Sequence, residues 1–225
     1  MERIRLIEVK EGILSDNEKL ADELRKLLLK KKTFLLNLMA SPGAGKTSLI
    51  LKTITALKND FRIAVIEADI DSIVDSEKVA ASGIPAVQLR TAGFCHLDAS
   101  MVKKGLDAIN IDSFDLIFIE NVGNLVCPAE FDTGAVKKAM ILSVPEGDDK
   151  PLKYPLMFTV CDVLILNKID FLELTDFNMQ KLKERVLILN PRIKIIEVSC
   201  KTGQGIDIWA DWLKNEVTTF IGPHV

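Results

Sequence analysis

The chain has 225 residues, 48% of them hydrophobic, and a formal net charge of −3. That is enough for one large α/β domain with a sizeable core, and too apolar for a disordered protein. Acids and bases are interspersed rather than blocked, which argues against nucleic acid or an anionic membrane as a partner. No apolar stretch approaches the roughly 18 to 20 residues of a membrane span, so a cytoplasmic protein is expected.

Taken in chain order, Ser15 or Asp16 is placed to cap an amphipathic helix running to about residue 32, with Leu20, Leu24, Leu27 and Leu28 on one stripe. Residues 1–32 are expected to pack on a single nucleotide-binding domain spanning 1–225, and Lys30, Lys31 and Lys32 read as a solvated helix end. Strands are predicted near residues 34–39, 63–67, 86–89, 115–120, 139–144, 162–167 and 194–198, with helical segments between most of them. The alternation predicts an α/β fold with a mainly parallel sheet covered by helices on both faces. The Pro-rich stretch 144–155 reads as an irregular loop.

Residues 40–47 read Ala-Ser-Pro-Gly-Ala-Gly-Lys-Thr, after an apolar run and before a helix-like stretch from Ser48, the layout of a P-loop NTPase phosphate loop with Ala40 at its usual first glycine. Gly43, Ala44 and Gly45 let backbone N–H groups turn around a polyphosphate, Lys46 adds charge, and the Thr47 hydroxyl suits Mg²⁺. Asn167-Lys168-Ile169-Asp170 follows another apolar run, so Asp170 lies beyond the C-terminal end of a predicted strand, where open α/β sheets bind ligands. Guanine presents two adjacent N–H donors that an acceptor-only carboxylate can take, so Asp170 selects GTP or GDP over adenine nucleotides. Asn167 binds the base or ties its loop to the phosphate loop, and the Lys168 stem suits the ring face.

Three further segments fall where such a site needs them. Residues 115–120 form an apolar strand ending in Glu120, which can reach Mg²⁺ or its water, with Gly123 following at the γ-phosphate. Asp69 is a second acid at the same edge, and Mg²⁺ takes only one or two protein carboxylates. Ser199-Cys200-Lys201 can offer a backbone N–H to guanine O6 and a lysine stem to the base. Asp75 is a switch-loop candidate. Lys46, Thr47, Glu120 and Asp75 are thus the catalytic candidates, and the absence of a Gln after Gly123 predicts slow hydrolysis.

Four cysteines in a cytoplasmic chain argue for core or ligand positions rather than disulfides. Cys161 and Cys200 read as packing or backbone positions. Cys95 adjoins His96, and Cys127 sits four residues after Gly123. Two thiolates and an imidazole suit Zn²⁺ or Ni²⁺ and leave a fourth position for water, another side chain or a second subunit. Spacing alone leaves this reading level with two buried cysteines and a surface histidine.

The combination of Ser41-Pro-Gly-Ala-Gly-Lys-Thr47, Cys95-His-Leu-Asp-Ala99, Glu120-Asn-Val-Gly-Asn-Leu-Val-Cys127-Pro128, Glu146-Gly-Asp-Asp-Lys-Pro-Leu-Lys-Tyr-Pro155 and Asn167-Lys-Ile-Asp170 resembles the HypB family of hydrogenase nickel-incorporation GTPases over nearly the whole chain. The resemblance implies a GTP-dependent homodimer with slow hydrolysis. It also implies Zn²⁺ or Ni²⁺ at the dimer interface on Cys95, His96 and Cys127, a HypA-type nickel/zinc protein as partner, and the [NiFe]-hydrogenase large-subunit precursor as client. Residues 1–30 contain neither Cys nor His, so the metal chemistry is expected to rest on the interface site. Two alternatives are a urease-type nickel GTPase, whose usual Cys-Pro-His string is absent here, and a nucleotide-gated metal-binding module whose hydrolysis is incidental. A small-molecule kinase is disfavoured by guanine selection.

Overall fold

The computed structural model describes residues 9–70 and 74–222. Among the described residues, seven strands form one all-parallel sheet in the order β3-β2-β4-β1-β5-β6-β7. They are β1 (Phe34–Ala40), β2 (Ile63–Asp69), β3 (Ala86–Arg90), β4 (Leu116–Glu120), β5 (Lys137–Ser143), β6 (Val163–Asn167) and β7 (Lys194–Glu197). Central strands buried on both faces explain the continuous apolar runs, and every residue of β1, β4 and β6 is buried.

The connecting helices are α1 (Val9–Lys31), α2 (Lys46–Leu57), α3 (Val74–Ala81), α4 (Ala99–Asp107), α5 (Cys127–Glu130), α6 (Lys150–Lys153), α7 (Pro155–Val160), α8 (Met179–Leu189) and α9 (Ile206–Ile221). Alternate residues of β1 divide the core. Phe34, Leu36 and Leu38 pack with Leu49 and Ile54 of α2 and Trp209 and Leu213 of α9, whereas Leu35 faces Leu24 and Leu28 of α1 and Val102 of α4. Met39 joins a third cluster with Phe158 and Leu182. Inside the first layer the Trp209 Nε1–H donates to Thr53 Oγ1 at 2.8 Å, satisfying the one polar atom of a fully buried indole.

Three sequence-based expectations shift. Helix α1 begins at Val9, upstream of Ser15 and Asp16, which are exposed within it; Asp16 pairs with Lys19 at 3.1 Å rather than capping. A short polar residue on a solvent face does not stop a helix whose opposite face packs on the sheet. The buried stripe is Ala21, Leu24 and Leu28, with Leu27 at its solvent edge. The stretch 144–155 is not irregular: a 3-10 turn over Val144–Glu146 is closed by a capping box between Ser143 and Glu146, and α6 and α7 each start with a proline in the first turn. Proline costs nothing there because its missing N–H has no helical partner. Asn17 of α1 donates to Asp132 O at 2.8 Å and accepts from Ala99 N at 2.8 Å, pinning α1 beside α4.

Candidate nucleotide and metal site

Strand β1 lies between β4 and β5, where the chain's course across the sheet reverses, and its C-terminal end opens into the loop that starts α2. Gly43 (φ 76°) and Gly45 (φ 105°) adopt left-handed backbone that a side chain would strain. A Cβ on Gly45 would lie 2.4 Å from Asn167 Nδ2, and one on Gly123 would lie 2.9 Å from the Pro42 ring. Both glycines therefore permit close approach of one loop to another.

A cavity of about 490 Å³ is lined by this loop, by Glu67 and Asp69 of β2, by Asp75 and Lys78 of α3, by Gln88 of β3 and by the segment from Glu120 to Gly123. The Lys46 side chain is buried at its floor, and Thr47 Oγ1 donates to Glu120 Oε1 at 2.9 Å. Asp75 pairs with Lys78 at 2.8 Å. The parallel register sets Glu67 directly opposite Glu120, and the two are 3% and 5% exposed. Glu67 Oε1 and Glu120 Oε2 are buried without a hydrogen-bond partner. Burial, reinforced by the neighbouring Glu120, pushes the Glu67 carboxyl up to about 9, and burial raises Glu120 as well. Two orphaned carboxylate oxygens beside a threonine hydroxyl are a donor set that fits Mg²⁺.

A second cavity, about 280 Å³, meets the first at Gly45 and Ser48 and is lined by Asn167, Lys168, Asp170, Phe171, Cys200 and Lys201. Asn167, 1% exposed, donates to Ala44 O at 2.9 Å and accepts from Cys200 N at 3.2 Å. Lys168, itself at φ 60°, donates to Gly43 O at 2.8 Å. Ser199 lines neither cavity; its hydroxyl donates to Asp170 Oδ1 at 2.6 Å and orients that carboxylate. Cys161 is buried in the third core cluster, and Cys200 is half-buried with its thiol pushed up to about 11 by burial.

The fold brings Cys95, His96 and Cys127 together, with one ligand atom from each lying within 4.8 Å of the others. The two sulfurs are 3.0 Å apart. His96 stacks on Phe131 (centroids 3.9 Å apart, planes 20° apart) and meets Phe94 edge-on. Its Nδ1 is buried and unpartnered. Burial lowers its proton affinity and so favours the neutral, ligating imidazole, while the adjacent Cys95 thiol and burial raise Cys127. Such a pair releases its protons when a cation arrives. Two sulfurs and an orphaned imidazole fit a borderline dication, with one tetrahedral position left open.

Every sequence-derived candidate except Ser199 and Ala44 thus lines a cavity or joins the metal triad, and those two support their loops from behind. Sequence reasoning missed Glu67, Lys78 and Gln88. The signal for Glu67 was present in strand periodicity, since Glu67 and Asp69 share a face. Lys153 lies outside both cavities and pairs with Asp149 at 2.5 Å.

Residues 34–197 match the family described as CobW/HypB/UreG, nucleotide-binding domain. Over 216 residues, the chain is 42% identical to the hydrogenase maturation factor HypB of Escherichia coli strain K12, covering 96% of this chain and 74% of that protein. The chain belongs to the HypB family. A second HypB relative, the hydrogenase/urease maturation factor of Helicobacter pylori, is 38% identical over 92% of this chain and 86% of its own length. The crystal structure of HypB from Helicobacter pylori in complex with nickel superposes with a TM-score of 0.86 at 35% identity, covering 93% of this chain and 99% of that one. The family model describes a nucleotide-binding domain, the relatives are named as hydrogenase maturation factors, and the solved Helicobacter pylori neighbour is a complex with nickel. Among the described residues, no helix is long and apolar enough to cross a membrane.

Proposed function

We propose that this chain is a cytoplasmic, GTP-binding and slowly GTP-hydrolysing metallochaperone that helps insert nickel into the [NiFe]-hydrogenase large-subunit precursor. It would act as a homodimer with a Zn²⁺ or Ni²⁺ site at the interface, together with a HypA-type nickel/zinc protein. The observation that carries this reading is continuity: the segment leaving β4 begins at Glu120, hydrogen-bonded to Thr47, and ends at Cys127, 3.0 Å from Cys95. Phe94 and Val126 flank the triad with 55% and 50% exposure, apolar surface suited to contact with a second copy.

Gly43 to Ser48 would cradle the phosphates, Lys46 would place its charge on them, and Asp170 would take the guanine N–H pair. Lys168, Cys200 and Lys201 would line the base. Mg²⁺ held among Thr47, Glu120 and Asp69, with Glu67 on the same face of β2, would neutralise phosphate charge. Glu120 and Asp75 would then orient the attacking water, and no glutamine follows Gly123 to help: Leu125 is apolar, and the Asn124 amide is taken up by Cys95 O and Val126 N. Departure of the γ-phosphate would release Gly123 and with it Cys127, so hydrolysis would change metal affinity. The converse follows by linkage: metal must shift nucleotide affinity or dimerisation by the same free energy.

The test is sedimentation with GDP or a non-hydrolysable GTP analogue, with and without stoichiometric Ni²⁺ or Zn²⁺, for wild type, Cys95→Ala and Cys127→Ala. A metal-retaining dimer promoted by the analogue and lost in either variant is expected. A monomer under every condition, binding metal equally without the two cysteines, overturns the reading. A second reading keeps the mechanism and changes the client: the Helicobacter pylori relative is named for both hydrogenase and urease maturation. Nickel transfer to apo-urease rather than to the hydrogenase precursor would decide for it.

A further inference from the structure

The segment that joins the two sites makes its contacts in alternation. Glu120 accepts from Thr47, and Gly123 lies so close to Pro42 that a Cβ would overlap the ring, so these two positions face the phosphate loop. Asn121 and Asn124, one residue on from each, face the metal loop instead. Asn121 is fully buried; its Oδ1 accepts from Leu97 N at 3.2 Å and from Val122 N at 2.9 Å, and its Nδ2 donates to Asn37 Oδ1 at 3.2 Å. Asn124 donates from Nδ2 to Cys95 O at 3.3 Å, and its Oδ1 accepts from Val126 N at 2.9 Å. The backbone on both sides of His96 is therefore held by amide side chains of the segment that senses the phosphate loop.

We propose that Asn121 and Asn124 are positioning residues that set the nucleotide dependence of metal binding, by carrying a displacement of the Glu120–Gly123 backbone into the Cys95–His96 loop. The inference rests on the nucleotide and metal reading above and adds the route between the two sites. Cys127, at the end of the same segment, moves directly with it. Cys95 and His96 belong to another loop, and without the two asparagines they would stay behind when Cys127 moved. With them, all three ligands respond to the nucleotide as one unit. Asn37, on the rigid central strand, limits how far Asn121 swings, because its carbonyl oxygen holds the Asn121 amide.

The alternation also explains why the two residues are asparagines. Each bond to the metal loop is matched by a second bond from the same side chain to neighbouring backbone or to Asn37, so the amide plane is fixed. A hydroxyl donates and accepts at one oxygen, whereas the amide places its donor and acceptor on two atoms and so spans partners that lie apart.

The test measures the Ni²⁺ dissociation constant of the full chain by chelator competition, with GDP and with a non-hydrolysable GTP analogue, and takes the ratio between the two states. Wild type is compared with Asn121→Ala, Asn124→Ala and Asn121→Asp, each checked for folding by thermal unfolding. Each alanine is expected to cut the ratio by about two- to tenfold, the worth of one side chain to backbone hydrogen bond, and to cut the effect of Ni²⁺ on nucleotide affinity by the same factor. For Asn124→Ala, nucleotide affinity without metal should stay within about twofold of wild type, because Asn124 lines neither cavity; Asn121 lines the phosphate cavity, so its variants are read by the ratio alone. Asn121→Asp keeps the acceptor for Leu97 N, and the Asn37 amide can turn so that its unpartnered Nδ2 donates to the new carboxylate oxygen, so this variant should retain the wild-type ratio. Alanine variants that weaken Ni²⁺ equally in both nucleotide states, or leave the ratio unchanged, overturn the proposal while the metal and nucleotide reading stands. A wild-type ratio of one overturns both. Should Asn121→Ala fail to fold, the ratio for the half-buried Asn124→Ala decides alone.

Discussion

Replacing Glu67 with Gln should make the nucleotide-free, metal-free protein more stable at neutral pH. Glu67 is buried against Glu120, and its carboxyl is pushed from an ordinary value near 4.5 to about 9. At pH 7.5 the folded protein therefore keeps a proton that the unfolded chain has released. A group whose pKa is raised on folding contributes its stability below the unfolded value and loses it as pH climbs toward the folded one. Three pH units above 4.5, at about 1.36 kcal/mol per unit, set a ceiling of about 4 kcal/mol. Sharing the burden with Glu120 brings the expected gain of Glu67→Gln to roughly 2 to 4 kcal/mol at pH 7.5. For a chain of this size that is a rise of about 5 to 15 °C in Tm. The assay is thermal unfolding of chelator-treated protein from pH 5 to pH 9, with the gap between variant and wild type closing at the acid end. A gap that does not change with pH, or a variant less stable at pH 7.5, would refute the reasoning. With Mg²⁺ and GDP added the ranking should reverse, since the cation favours carboxylates over an amide.

Gly45→Ala places a methyl 2.4 Å from the buried Asn167 amide at a φ of 105°, and a loss of tenfold or more in nucleotide affinity is expected by titration calorimetry, of order 1.4 kcal/mol. Asp170→Asn replaces a carboxylate with an amide that can donate to the xanthine 2-oxo group, so competition binding should show preference moving from GDP to XDP; unchanged GDP preference would place the base elsewhere. Trp209→Ala empties a fully buried site where α9 packs on α2 and removes the bond that the Thr53 hydroxyl accepts, leaving only its bond to Leu49 O, and chemical denaturation should register a loss of about 3 to 5 kcal/mol with nucleotide specificity intact.

Much of the fold was legible because buried parallel strands leave unbroken apolar runs, and all seven predicted strands are present within a few residues of their expected bounds. The phosphate loop and the Asn167–Asp170 string were legible because their backbone demands restrict the residue types allowed. Glu67 escaped because its meaning depends on register: only the pairing of β2 with β4 sets it against Glu120. The start of α1 was misplaced because local capping residues compete with tertiary packing, and packing of Ala21, Leu24 and Leu28 decides. The structure of 144–155 was hidden by its prolines, which occupy helix first turns as readily as loops. The metal triad was legible as residue types, but the 4.8 Å envelope that separates a ligand set from two packed cysteines exists only in three dimensions.

The hydrogen bonds from Asn167 to Ala44 O and from Lys168 to Gly43 O have a consequence for how specificity experiments will read. In a trans peptide the carbonyl and the following N–H point opposite ways. A base loop that holds the Ala44 carbonyl to itself therefore turns the Gly45 N–H away, toward the space where phosphates sit, before any ligand arrives. Recognition of the base and grip on the phosphates are two ends of one peptide plane. Lesions aimed at the base loop through Asn167 or Lys168 will therefore weaken the affinity for pyrophosphate, a ligand with no base at all.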